Sequence, residues 1–265
     1  MNLWTQKSID LAAQSNYLDQ LYRVYPMSVN LRRELSESTQ NEIRTHLNNQ
    51  DGKKLLHVLL KQEIFPIKDS YVAYLKRDKT AIDRNPATVS RLAGMLIEMG
   101  FDEILDKTTV PKETNRQIGP LFKNWIASGA LGVPVTNNVA EFLNHQGNIV
   151  FNAGDNAMKA FAEEYLGYQH DKGLDFIAKF NHQFIIGEAK FLTDFGGHQN
   201  AQFNDAVATM RAPLAKTNHT VHTIAILDGV LYIKGKNKMF NDLNNFKNNE
   251  IVVSAVLLRD YLFSV

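Results

Sequence analysis

Three charged residues stand inside segments that are otherwise apolar. In GLDFIAKFNHQFIIGEAKFL, Asp175 opens one apolar run, and Glu188 and Lys190 close the next. Glu188-Ala189-Lys190 is the only Glu-x-Lys triplet of the chain. Asn181-His182 between the runs predicts a hairpin. Asp175 and Glu188, thirteen residues apart with the turn near the middle, then approach each other across the ladder. Glu188 and Lys190 are two apart and project from the same strand face. Two acids and one amine so arranged suit a divalent cation with a water-activating partner. Oxygen-only donors fit Mg2+, which binds one or two carboxylates plus substrate phosphate. Such an ion neutralises phosphate charge and lowers the pKa of water. The lysine can orient that water or stabilise developing charge. A general-base role would require its pKa to be depressed. The plain alternative is a pair of solvated charges at strand ends, and only structural context separates the two readings.

The elements around these residues predict an α/β core behind a helical N-terminal region. Residues 1–145 are read as mainly helical. SIDLAAQSNYLDQLYRVY carries a helical apolar stripe. KKLLHVLLKQEIF is a short helix stopped before Pro66. NPATVSRLAGMLIEMGFDEIL has Asn85 as N-cap, Pro86 at the first helical position and Gly100 as C-cap. The pattern changes near residue 147. GNIVF is a short strand, DNAMKAFAEEYLGY a helix ending at Gly167, and HQNAQFNDAVATMRAPLAKT a second helix. TVHTIAILDGVLYIKG and EIVVSAVLLRDYLF are read as further strands, with the Asn-rich KMFNDLNNFKNNE between them as a loop or short helix. The division is a helical region over 1–145 and a core domain over 146–265, and the two parts could share one core.

Asp175 followed by Glu188-x-Lys190 after a hydrophobic strand, flanked by helices, resembles the PD-(D/E)xK nuclease superfamily. The fuller run KGLDFIAKF…FIIGEAKFLTDFGGHQNAQ is similar to a Type II restriction endonuclease, most sharply over residues 155–211. Leu174 stands where the family pattern has proline. The resemblance implies a restriction-endonuclease-like α/β core, a mixed central sheet flanked by helices, and Mg2+-dependent hydrolysis of phosphodiester bonds in double-stranded DNA. It implies that Asp175, Glu188 and the Ala189 carbonyl hold the metal and that Lys190 positions the attacking water. Many relatives add a glutamate from the helix before the first catalytic strand, for which Glu163 and Glu164 are the candidates. It further implies a homodimer matching a palindromic site, DNA recognition and dimerisation by the 1–145 region, and a cognate DNA methyltransferase as functional partner. The competing readings are a repair or structure-selective nuclease on the same core, and a sequence-specific DNA-binding protein that does not cleave.

Directly after the candidate strand, TDFGGHQNAQ gathers Asp194, His198, Gln199, Asn200 and Gln202 at a helix start. Asn and Gln amides can pair with adenine in the major groove. Helix N-terminal N–H groups can bind phosphate. For each residue singly, capping is the alternative. In NRQIGPLFKNW, Arg116 and Lys123 are candidate DNA contacts or parts of a solvated basic face.

The composition excludes other chemistries. The 265 residues contain no cysteine, so neither a disulfide scaffold nor a thiolate metal site is available. His219 and His222 lack partners for a zinc site. No Gly-x-Ser-x-Gly, P-loop or dinucleotide fingerprint is present. A net charge of +1 decides nothing about nucleic acid, because local clustering matters more than the sum. The N-terminus lacks a signal-peptide pattern, and no apolar run is long enough for a membrane span. The expectation is a soluble, cytoplasmic protein.

Overall fold

The computed structural model describes residues 1–27, 32–111 and 115–265, except the side chains of Asn115 and Arg116. Two compact units result: Met1–Met27 with Glu113–Val265, and Ser28–Lys112. The units therefore do not divide at residue 145. Residues 1–27 pack with the sheet because Ile9, Leu21, Val24 and Tyr25 bury their side chains in its apolar cluster.

The first unit contains α1 (Leu3–Ala12) and α2 (Tyr17–Val24), and the second holds α3 (Glu37–Asn48), α4 (Gly52–Leu60), α5 (Ser70–Arg77), α6 (Ala81–Arg84) and α7 (Pro86–Thr108). The first unit resumes with α8 (Asn115–Ala127), β1 (Val135–Thr136), α9 (Val139–Asn144), β2 (Ile149–Phe151) and α10 (Asp155–Tyr165). It ends with β3 (Phe176–Phe180), β4 (Gln183–Leu192), α11 (Gly197–Met210), β5 (Val221–Gly229), α12 (Lys238–Asn245), β6 (Ile251–Val253) and α13 (Leu258–Ser264).

The six strands form one sheet in sequence order. β1 runs parallel to β2, β2–β3–β4 are antiparallel, and β5 and β6 continue parallel to β4. The α/β class and mixed sheet match expectation. The β3–β4 hairpin turns at Asn181 and His182, both with positive φ. Parallel pairing of β4 and β5 requires a crossover, and α11 supplies it.

Both faces of the hairpin are covered. Phe176, Ala178 and Phe180 enter one apolar cluster. Ile177, Phe184 and Ile186 enter another with Phe142, Met158 and Phe161. This is why both strands read as continuous apolar runs.

The helical unit has its own core, built on Leu55, Leu56, Leu59, Leu92 and Leu96. Pro86 opens α7 as expected. Gly100, at φ +72°, breaks the helix without ending it, and a second helical stretch follows to Thr108.

Two C-terminal expectations need correction. VLYIKG does not extend β5: the strand ends at Gly229 and a 3-10 turn follows over Val230–Tyr232. The EIVVSAVLLRDYLF run is strand only to Val253 and becomes α13. Leu258, Tyr261 and Leu262 are spaced for one helical face and all three are buried. The N-terminal stripe likewise divides into α1 and α2 rather than one helix.

Gly229 has φ +100°, and an added Cβ would lie 2.0 Å from the Leu192 carbonyl oxygen. Gly229→Ala is expected to cost about 2 kcal/mol or more, combining backbone strain with a backbone clash. The midpoint of chemical denaturation checks this, and an unchanged midpoint would contradict it.

Candidate active site

Asp175 sits one step before the last β3–β4 pair, Phe176 with Gly187. Beyond Gly187, β4 continues along β5 but has no strand on the β3 side. Backbone groups of that stretch therefore face an open edge. Asp175 fills part of it, accepting the Ala189 N–H at Oδ2 over 2.9 Å. A residue's N–H and C=O leave a strand on the same side, so the Ala189 carbonyl faces the same gap.

Lys190 ties the two acids together. Its Nζ lies 2.7 Å from Glu188 Oε1 and 3.6 Å from Asp175 Oδ2. The structure thus brings Asp175, Glu188 and Lys190 into one cluster. Glu188 is only 2% exposed. Its other oxygen, Oε2, accepts the Thr209 hydroxyl at 2.7 Å. Lys172 adds a second ammonium 3.0 Å from Oε1 and also reaches Asp205 at 2.9 Å.

Burial pushes the Asp175 carboxyl above its ordinary range, and the Lys190 ammonium and the Ala189 N–H pull it back only in part. Burial works against the Lys190 charge, but the carboxylates of Asp175 and Glu188 outweigh it, so its pKa is raised. Lys190 is therefore a proton-holding donor.

Among the described residues, no group of three or more His, Asp and Glu converges as a metal cluster. The donor set is smaller: two carboxylates and a backbone carbonyl at one open strand edge. That set fits a hard divalent ion, which completes its shell with water and phosphate oxygens.

Glu163 and Glu164 do not reach the cluster. Glu163 pairs with Lys159 at 3.5 Å. Glu164 accepts a hydrogen bond from Tyr165, which raises the phenol's pKa. The helix acid that bears on Asp175 is Asp155, at the first position of α10, whose charge helps raise Asp175. Gly173, two residues before Asp175, packs directly against Asp155.

The residues after β4 divide by orientation. Gln199 is buried and its Oε1 accepts the Thr193 N–H at 3.1 Å. Asn200 donates to the Phe195 and Gly196 carbonyls. Asp194 accepts the Gly196 N–H. These three stabilise the entry to α11. His198 is exposed and Gln202 half-buried, and they face each other at 3.1 Å one turn apart. Lys123 joins α8 to α10, donating to the Ala153 carbonyl at 2.8 Å and to Asp155 at 2.5 Å. The side chain of Arg116 lies outside the described residues.

Reasoning from sequence missed Lys172, Asp155, Asp205 and Thr209. Asp155 carried a usable signal, as an acid at the start of the helix preceding β3. Lys172, Asp205 and Thr209 carried none, because only folding brings them to Glu188.

Residues 2–265 match the model of the Tsp45I type II restriction enzyme family. The chain belongs to that family. Comparisons with curated proteins and with solved structures give no match. Membership makes the chain a site-specific deoxyribonuclease, acting by hydrolysis of phosphodiester bonds in double-stranded DNA. Type II restriction enzymes generally use divalent metal ions. Among the described residues, no helix is long and apolar enough to cross a membrane.

Proposed function

We propose that Asp175, Glu188 and the Ala189 carbonyl hold Mg2+, and that Lys190 orients the water that attacks the DNA phosphorus. One observation carries this reading: Lys190 touches both carboxylates at the open edge of β4. When bound, the ion supplies phosphate charge neutralisation and a lowered pKa for water. The chain's residues supply the rest. Asp175 and Glu188 each present an oxygen to the Lys190 ammonium. The Ala189 N–H holds Asp175 in place. Thr209 orients Glu188 from the other side. An ammonium held against both carboxylates is placed to orient the attacking water by donating to it. Its charge also opposes the negative charge that grows on the phosphoryl oxygens.

In this reading the enzyme is a cytoplasmic homodimer within a restriction-modification system, partnered functionally by a DNA methyltransferase. Two-fold symmetry would match a palindromic site. Residues 1–145 would contribute recognition and dimerisation, with His198 and Gln202 as the imidazole and amide best presented to a base edge. Arg116 and Lys123 are proposed to act near the backbone of the DNA, Lys123 by fixing α8 on Asp155. Gln199, Asn200 and Asp194 would shape the α11 entry that presents His198 and Gln202.

Plasmid digestion tests the proposal. Discrete fragments are expected with Mg2+, none after chelation, and the same fragments when Mg2+ is restored. Undiminished cutting in chelator would remove the metal from the mechanism. A smear would remove the fixed site.

A further inference from the structure

Glu188 Oε1 is shared by two ammonium groups, and only one belongs to the Glu-x-Lys triplet. The second, Lys172, comes from the loop before β3. Its Nζ stands 3.0 Å from Glu188 Oε1 and 2.9 Å from Asp205 Oδ2. Glu188 is buried at 2% exposure, whereas the Asp205 side chain is 60% exposed. Lys172 therefore joins a buried acid of the cluster to an acid at the surface of α11.

Three contacts shape the loop that carries Lys172. On one side Asp171 pairs with Lys159 at 2.5 Å. On the other, a Cβ at Gly173 would come within 2.9 Å of Asp155 Cβ. The Lys172 N–H closes on the His170 carbonyl at 2.8 Å. Its ammonium contacts Glu188 and Asp205 at the same time.

We propose that Lys172 competes with the divalent cation for Glu188 Oε1, and that Asp205 retains Lys172 when the cation takes that oxygen. The proposal rests on Glu188 being a metal ligand. It makes Lys172 a positioning residue that sets how readily the site loads. An ammonium 3.0 Å from a buried carboxylate oxygen both occupies it and repels a second cation. Asp205 lowers the cost of displacement by keeping Lys172 paired.

The test uses the full chain without DNA and Mn2+ as probe, with free ion followed by electron paramagnetic resonance. Lys172→Gln is expected to bind Mn2+ about tenfold more tightly than wild type, since a competing charge is gone. Lys172→Arg keeps the charge and should stay within about threefold of wild type. Asp205→Asn should weaken binding about threefold, because Lys172 is then left on Glu188 alone. That weakening should largely vanish in the Lys172→Gln background. Lys172→Met replaces the Gln variant if the latter loses its thermal transition.

A merely structural Lys172 would alter thermal stability without tightening Mn2+. Unchanged or weaker Mn2+ binding by a folded Lys172→Gln overturns the competition. Equal weakening by Asp205→Asn in both backgrounds reports only the field of that carboxylate and overturns the hand-over. Glu188→Gln separates the underlying assignment: if it binds Mn2+ as wild type does, Glu188 is not a ligand and both readings fall.

Discussion

Replacing Lys190 with methionine should lower the rate of DNA cleavage at least about a thousandfold while DNA binding persists. Methionine has similar length and fills the same space without the charge. Lys190 is the group that touches both Glu188 and Asp175, and its ammonium is half-buried between them. Its donors cannot be replaced by bulk water in a fixed geometry. Most affinity for DNA comes from contacts spread along the phosphate backbone, so binding should survive. Single-turnover cleavage and gel retardation measure the two effects separately. A Lys190→Met enzyme cutting within tenfold of wild type would sink the assignment. Lys190→Arg should retain partial activity at best, because a planar fork does not reproduce a point charge at 2.7 Å from Glu188. Loss of binding and cleavage together would point instead to a folding role, which a thermal transition would reveal.

The second large effect is on stability and lies away from the chemistry. Asp228, near the end of β5, has no solvent exposure. Its carboxylate collects four donors. Tyr17 and Ser254 donate to one oxygen, at 3.3 Å and 2.5 Å. Tyr25 and the Ala255 N–H donate to the other, at 2.9 Å and 3.1 Å. These partners come from α2, the residue that ends it, and the turn after β6. One carboxylate thus ties the N-terminal helices to the C-terminal edge of the sheet. Asp228→Ala would strand several buried donors together, and a loss of about 4 kcal/mol is expected. Chemical denaturation measures it, and a loss under about 1 kcal/mol would show the network to be dispensable.

The same residue makes a pH prediction. Burial raises Asp228 from an ordinary 3.8 to about 7, with its four donors opposing. Because the folded state holds the proton more tightly, this group's contribution is fully present below pH 3.8. It declines as pH rises from 3.8 through 7. Asp228→Asn cannot titrate. The stability difference between wild type and Asp228→Asn should therefore change across that window, approaching about 1.4 kcal/mol per pH unit against wild type. Parallel pH curves would show that Asp228 does not titrate there.

Local pattern carried much of the site. Glu188 and Lys190 share a strand face because strand periodicity is two, whatever the rest of the chain does. Asp175 joins them because Asn181-His182 supports a tight turn, and the observed register follows from it. The same logic failed at the C-terminus. Strand and helix compete for a short apolar run such as SAVLLRDYLF, and burial against the sheet chose the helix. It failed also for Glu163 and Glu164, where the direction of α10 decided which acid meets Asp175. The amides after β4 were legible as a cluster, but not in orientation. Capping claimed Asn200 and Asp194, burial claimed Gln199, and His198 and Gln202 were left facing outward.

What the sequence by itself determined was the α/β class, the hairpin and the acid–acid–lysine arrangement, since these depend on residues near one another in the chain. Only the tertiary structure decided the rest. It returned residues 1–27 to the sheet through buried apolar side chains and the Asp228 hydrogen bonds, and gave α3–α7 a core of their own. It also brought Lys172 and Thr209 onto Glu188. For Asp228 and Glu188 the physical reason is the same. A buried carboxylate must find donors wherever the fold supplies them, and no local pattern records which distant hydroxyl or ammonium will be there.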